Sequence, residues 1–140
     1  MATLQEQLVL HEGLKLKPYK CSENKLTIGV GRNIEERGIT KAEALVLLEN
    51  DIKAIKSELG KYSWFSEQDE IRQRVLIDMG MMGVPRLLGF KKMIDALKEK
   101  DFQTAAAEML DSKWAKQVLT RADRLAEMMR TGKDYDTKGA

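Results

Sequence analysis

Leu8-Val9-Leu10-His11-Glu12-Gly13-Leu14-Lys15-Leu16-Lys17-Pro18-Tyr19, with Leu26-Thr27-Ile28-Gly29-Val30-Gly31 a few residues further on, changes its period at Gly13. Before Gly13, Leu4, Leu8 and Val9 recur at helical spacing. Thr3-Leu4-Gln5-Glu6 has the form of a capping box, so a short helix is predicted over 4–12 with Gly13 as its stop. After Gly13, Lys15-Leu16-Lys17 alternates, Pro18 bars a helix, and Ser22-Glu23-Asn24-Lys25 reads as a turn. Leu26 to Gly31 carries β-type residues interrupted by glycine, so residues 14–39 read as a small β-hairpin or three-stranded sheet.

From Thr40 onward the pattern is helical to the end. Thr40-Lys41-Ala42-Glu43 is a second capping box, and Leu45, Leu48, Ile52, Ile55 and Leu59 extend one long helix to Gly60. Ser66 is read as the cap of a helix carrying Ile71, Val75 and Met79. Shorter helices follow near 85–89, 91–98, 102–109, 113–117 and 121–129, punctuated by Gly80, Gly83 and Gly89. The fold class is α+β, mainly α: a small β-hairpin lobe and a larger helical lobe joined by a long helix, with a cleft, the default place for a ligand, expected between them. One domain over 1–140 is expected, with 13–60 as the small lobe and its connecting helix, and 1–12 plus 61–140 as the helical lobe.

Composition narrows the chemistry. With 140 residues, 43% hydrophobic and 33% charged, the chain suits one globular domain and is unlike a disordered one. No apolar run nears the ~20 residues of a membrane helix, and no secretory signal is readable at the start. Residues 1–70 hold 10 basic and 12 acidic side chains and residues 71–140 hold 14 and 10, so the net charge goes from −2 to +4. Without a clustered basic and aromatic face, nucleic acid is not an expected partner. One cysteine, Cys21, excludes an internal disulfide, and one histidine, His11, excludes a zinc site of Cys and His ligands. Gly29-Val30-Gly31 lacks the third glycine of a dinucleotide loop, since position 34 is Ile34, and His11-Glu12 is not followed by the second histidine of a zincin. No metal or cofactor is implied.

Three residues gather near the hairpin: Glu12, Cys21 and Thr27. A carboxylate at a helix C-terminus faces the negative end of the dipole, and partial burial acts in the same direction. Both favour the protonated form that a general acid needs. A solvated helix-end carboxylate is the plainer reading of Glu12, and a small buried hydrophobe is the plainer reading of Cys21.

The quoted run resembles the phage-type lysozymes, the muramidase family of the T-even phages. That family carries Glu, eight residues, Asp or Cys, five residues, Thr; here residues 13–20 separate Glu12 from Cys21, and residues 22–26 separate Cys21 from Thr27. Leu76-Ile77-Asp78-Met79 with Gly89-Phe90, then Ser112-Lys113-Trp114, Arg121-Ala122 and Arg130-Thr131-Gly132, are similar to its later pattern in the same order. The resemblance implies hydrolysis of the β-1,4 bond after N-acetylmuramic acid in bacterial peptidoglycan, with an inverting course. It implies Glu12 as catalytic acid, Cys21 in the second catalytic position, and Thr27 as the water-positioning residue. Arg121 is expected close to the glutamate, and Lys113, Trp114, Gly31 and Arg32 are expected in substrate binding or support. Lys113 departs from an arginine in the T-even member, and Arg32 from a histidine. The expected partner is the glycan strand, met by a monomer with no stable membrane insertion. Made in the host cytoplasm, the enzyme is expected to need a holin-type membrane pore to reach the wall. The alternative is a non-catalytic peptidoglycan-binding module of the same fold.

Overall fold

A computed structural model describes residues 1–135 of the chain. The chain clusters into two compact units, Met1–Leu48 and the remainder from Glu49.

The first unit opens with helix α1, Leu4–Glu12. Thr3 caps it, its Oγ1 accepting from the Glu6 N–H at 3.1 Å, and Gly13 ends it at φ +78° while its N–H donates to the Val9 carbonyl. Strands β1 (Lys15–Lys20), β2 (Leu26–Gly29) and β3 (Arg32–Asn33) then form an antiparallel sheet in the order β1-β2-β3. Tyr19 pairs with Thr27 and Lys20 with Leu26, while Thr27 and Ile28 pair with Asn33 and Arg32. The β1–β2 register slips between Lys15 and Tyr19. Pro18 lies in that irregular stretch of an edge strand, where its missing N–H does least harm. Asn24, at φ +62°, lets the chain reverse between Cys21 and Lys25. Helix α2 (Ile34–Arg37) leads to α3, Lys41–Leu59, which runs from the first unit into the second. The capping box at its start is complete: Thr40 Oγ1 accepts from the Glu43 N–H, and Glu43 Oε1 accepts from the Thr40 N–H.

The second unit is helical: α4 (Ser63–Ser66), α5 (Glu70–Gly80), α6 (Val84–Leu88), α7 (Lys91–Lys98), α8 (Phe102–Leu110), α9 (Lys113–Val118) and α10 (Thr120–Thr131). Its core takes Leu59, Trp64, Phe65, Leu76, Met79, Met109, Trp114 and Met129, among others. Three helix ends meet at Arg72. Its Nε donates to the Met129 carbonyl at 2.6 Å, its Nη2 to that of Arg130 at 3.2 Å, and its guanidinium lies 3.4 Å from the Phe102 ring centroid. The last carbonyls of α10 are thus satisfied by a cation, which also suits the negative end of the helix dipole.

The α+β class is as expected; α2 and α4 are short helices that the sequence pattern does not mark, and two further points differ. Ser66 ends α4 instead of capping the next helix, whose N-cap is Asp69, accepting from the Arg72 N–H at 3.1 Å. The stripe on α3 grades along its length: Leu45 and Leu48 are exposed, Ile52 and Ile55 half-buried, and Leu59 fully buried. Among the described residues no helix is long and apolar enough to cross a membrane.

Candidate active site

Glu12 is the last residue of α1, and it is solvent-exposed, not partly buried. Its side chain lies against the turn between β2 and β3. A Cβ built on Gly31 would stand 2.9 Å from Glu12 Cδ and closer still to Oε2. Gly31 is also at φ +64°, so both its conformation and the space beside it require the missing side chain. Two glycines therefore hold this acid: Gly13 stops the helix behind it, and Gly31 leaves it room at the hairpin.

Cys21 and Thr27 form a second pair. Cys21 directly follows β1 and closes the turn, its N–H donating to the Lys25 carbonyl at 3.0 Å. Thr27 sits in the central strand and is 3% exposed, the one buried residue before Leu59. Its hydroxyl donates to the Lys25 carbonyl at 2.8 Å. The Cys21 thiol is held below its ordinary value, first by the Lys25 backbone N–H and then by that of Glu23, against the opposing pull of desolvation. A hydrogen bond from Thr27 adds to this. One hydroxyl proton cannot serve both the carbonyl and the sulfur, and the short bond to Lys25 takes it in this geometry. The turn amides are therefore the main support for a thiolate.

Arg32, at the start of β3, is tied to α3. Its Nη1 and Nη2 reach the two Glu43 carboxylate oxygens at 2.8 and 2.5 Å, and Nη1 also reaches the Gly38 carbonyl at 3.2 Å. The Thr40 N–H and this guanidinium push the Glu43 carboxyl down to about 2. The capping box reveals one role of Glu43 and not its pairing with Arg32, a fork-to-fork contact across eleven residues.

The remaining candidates lie in the second unit. Arg121, early in α10, donates through Nε to Asp78 Oδ1 at 2.9 Å and through Nη2 to the Asp78 carbonyl at 3.1 Å. Asp78 is the partner of Arg121 that the sequence pattern does not reveal, because nothing periodic links positions 43 apart. Trp114 is 5% exposed and meets Phe90 edge-to-face with centroids 6.2 Å apart. Lys113 is exposed at the first turn of α9.

Comparison with known proteins bears on the whole constellation. The family model described as phage lysozyme matches residues 9–130. A protein of Dictyostelium discoideum named "Probable T4-type lysozyme 1" is 29% identical, covering 94% of this chain and 96% of that protein. "Probable T4-type lysozyme 2" of the same organism is 27% identical, covering 96% and 99%. The "Pre-baseplate central spike protein Gp5" of Enterobacteria phage T4 is 27% identical over 93% of this chain but only 28% of its own length. The family match takes in the acid at the helix end, the thiol, the buried threonine and the arginine of α10, and the chain belongs to the phage lysozyme family.

Proposed function

We propose that the chain is a muramidase that hydrolyses the β-1,4 bond between N-acetylmuramic acid and N-acetylglucosamine in bacterial peptidoglycan. The observation that carries this is the family match across 9–130, which spans Glu12, Cys21 and Thr27 together. Glu12 gives its proton to the glycosidic oxygen as that bond breaks. Water adds to the anomeric carbon from the opposite face. The Thr27 hydroxyl, its own proton committed to Lys25, accepts from the water, and the Cys21 thiolate takes the water's second proton. The lowering of the thiol by the turn amides favours the thiolate that this base role needs. In a phage-infected cell the enzyme is an endolysin, made in the host cytoplasm and reaching the wall through a membrane pore.

The test is clearing of purified peptidoglycan. Glu12→Gln keeps the fold and loses about 10²–10⁴-fold in turnover, the share of a general acid. Activity within a few-fold of wild type removes Glu12 from this role. Wall binding by the wild-type chain without any reducing-end release would instead support a non-catalytic module. For the lysis step, the chain fused to a secretion signal lyses the expressing bacterium, whereas the unfused chain does so only with a pore-former.

A further inference from the structure

A groove of about 670 Å³ runs between α4 and α7 in the second unit, using none of the residues assigned to cleavage. That volume falls within the range of about 300–1,000 Å³ usual for ligand clefts. Helix α7 contributes Lys91, Asp95 and Lys98, at i, i+4 and i+7 on one helical face. Lys61, Tyr62 and Trp64 form the other wall, and the Tyr62 and Trp64 rings are stacked with centroids 5.4 Å apart. Trp64 is buried, so of the two rings the half-buried Tyr62 is the accessible one. The lining holds three lysines and one aspartate, a local net charge of +2, as large as that of the whole chain.

These charges are not spent internally. Lys61 pairs with Glu58 at 3.1 Å, but Lys91, Lys98 and Asp95 make no ion pair among the described residues. The two helices that form the walls are tied by Gln68, 7% exposed, whose Nε2 donates to the Trp64 carbonyl at 2.9 Å and the Leu97 carbonyl at 3.4 Å. Such a site is preorganised, since α4 and α7 share one buried amide.

An aromatic face, two free ammonium groups and one carboxylate at fixed spacing match one ligand chemistry well. A pyranose packs its C–H face on an aromatic ring. Its acid group is attracted by the lysines, and a sugar hydroxyl donates to the aspartate. We propose that this groove binds an acid-bearing glycan unit, with the sugar ring on Tyr62, its carboxylate at Lys91 and Lys98, and a hydroxyl on Asp95. The proposal rests on the reading of the chain as a glycan hydrolase, and gives it a second, non-cleaving hold on the strand. Two linked contacts with one polymer raise the effective concentration of each.

The experiment is an amide and ring-proton NMR titration of the full chain in a Glu12→Gln background, which keeps the probe intact. The probes are a tetrasaccharide containing muramic acid, the neutral N-acetylglucosamine tetramer, inorganic phosphate, and a short single-stranded DNA. Shifts at Tyr62, Lys91 and Lys98 are expected with the muramic acid probe, and weaker ones with the neutral tetramer. Lys91→Ala with Lys98→Ala weakens that binding about three- to tenfold, as loss of two solvent-exposed charge contacts implies, and the loss shrinks in high salt. The double Lys→Arg variant retains it. Tyr62→Leu weakens it and Tyr62→Phe does not. Equal shifts with phosphate or DNA overturn the glycan assignment, and so does a groove that stays silent with every probe. Clearing of peptidoglycan by wild type is read separately. If clearing fails while the groove responds, the cleavage reading falls and the site stands; if clearing holds and the groove is silent, this proposal alone falls.

Discussion

Gly31 is held at φ +64°, and the place of its missing Cβ is taken by the Glu12 carboxyl. Gly31→Ala therefore suffers twice. The left-handed conformation costs about 1–2 kcal/mol for a residue with a side chain, and the new methyl displaces the acid. Melting temperature and wall clearing both fall; if clearing stays at the wild-type level, the carboxyl does not work from this position. Cys21 carries a second prediction. Its lowered thiol should alkylate with a pH midpoint below the ordinary 9.0. Cys21→Asp keeps activity and extends it to lower pH, while Cys21→Ser, with no accessible charge, loses most of it. A serine variant with the wild-type pH profile makes Cys21 structural. The spacing of Glu12, Cys21 and Thr27 stands out only through its likeness to a family pattern, since no local period singles these three residues out. The partners of Arg32 and Arg121 were not legible, because Glu43 and Asp78 are brought to them by the path of the chain, which no short-range pattern records.

Among the elements, a lone capping residue marked some helix starts and not others: α2 is capped by Asn33, inside a stretch whose pattern reads as sheet. Thr3 and Thr40 were found in place, whereas Ser66 and Asp69 are both good caps three residues apart, and α4 had already claimed Ser66 as its end. Cap chemistry alone does not choose between them: α4 ends at Ser66 with Trp64 and Phe65 buried, and Asp69 caps α5. The start of α3 makes the sharpest prediction of this kind. Glu43 accepts from the Thr40 N–H and from Arg32, and its carboxyl lies near 2 when folded against an ordinary 4.5. A folded-state value below the unfolded one means that its stabilising contribution is complete above about pH 4.5. That contribution is lost progressively as the pH falls toward 2. The Thr40 amide shift should accordingly titrate with a midpoint near 2, and Glu43→Gln should abolish that titration. A midpoint near 4.5 shows that neither the cap nor the Arg32 fork holds the carboxylate.

At the scale of the molecule, burial is unevenly shared. Among the described residues every buried apolar side chain lies at Leu59 or later, and the one buried residue before it is Thr27, a polar one. The fold class was legible because amphipathic periods and glycine stops mark elements one at a time. This imbalance was not, because Leu45 and Leu59 obey the same helical period yet one is exposed and the other fully buried. Stability should follow burial: few buried contacts mean openings of low free energy. Amides of α5, α8 and α10 should exchange slowest with solvent, and those of β1 and β2 sooner. Met129→Ala separates the two classes. Removing a fully buried methionine costs about 2–5 kcal/mol, so protection in α8 and α10 drops by that amount. The β2 amides, which already exchange through a smaller opening, keep their wild-type rates until the larger barrier falls to theirs. If instead β2 loses as much protection as α10 in the same variant, the sheet opens only with the helical core, and the two units unfold as one.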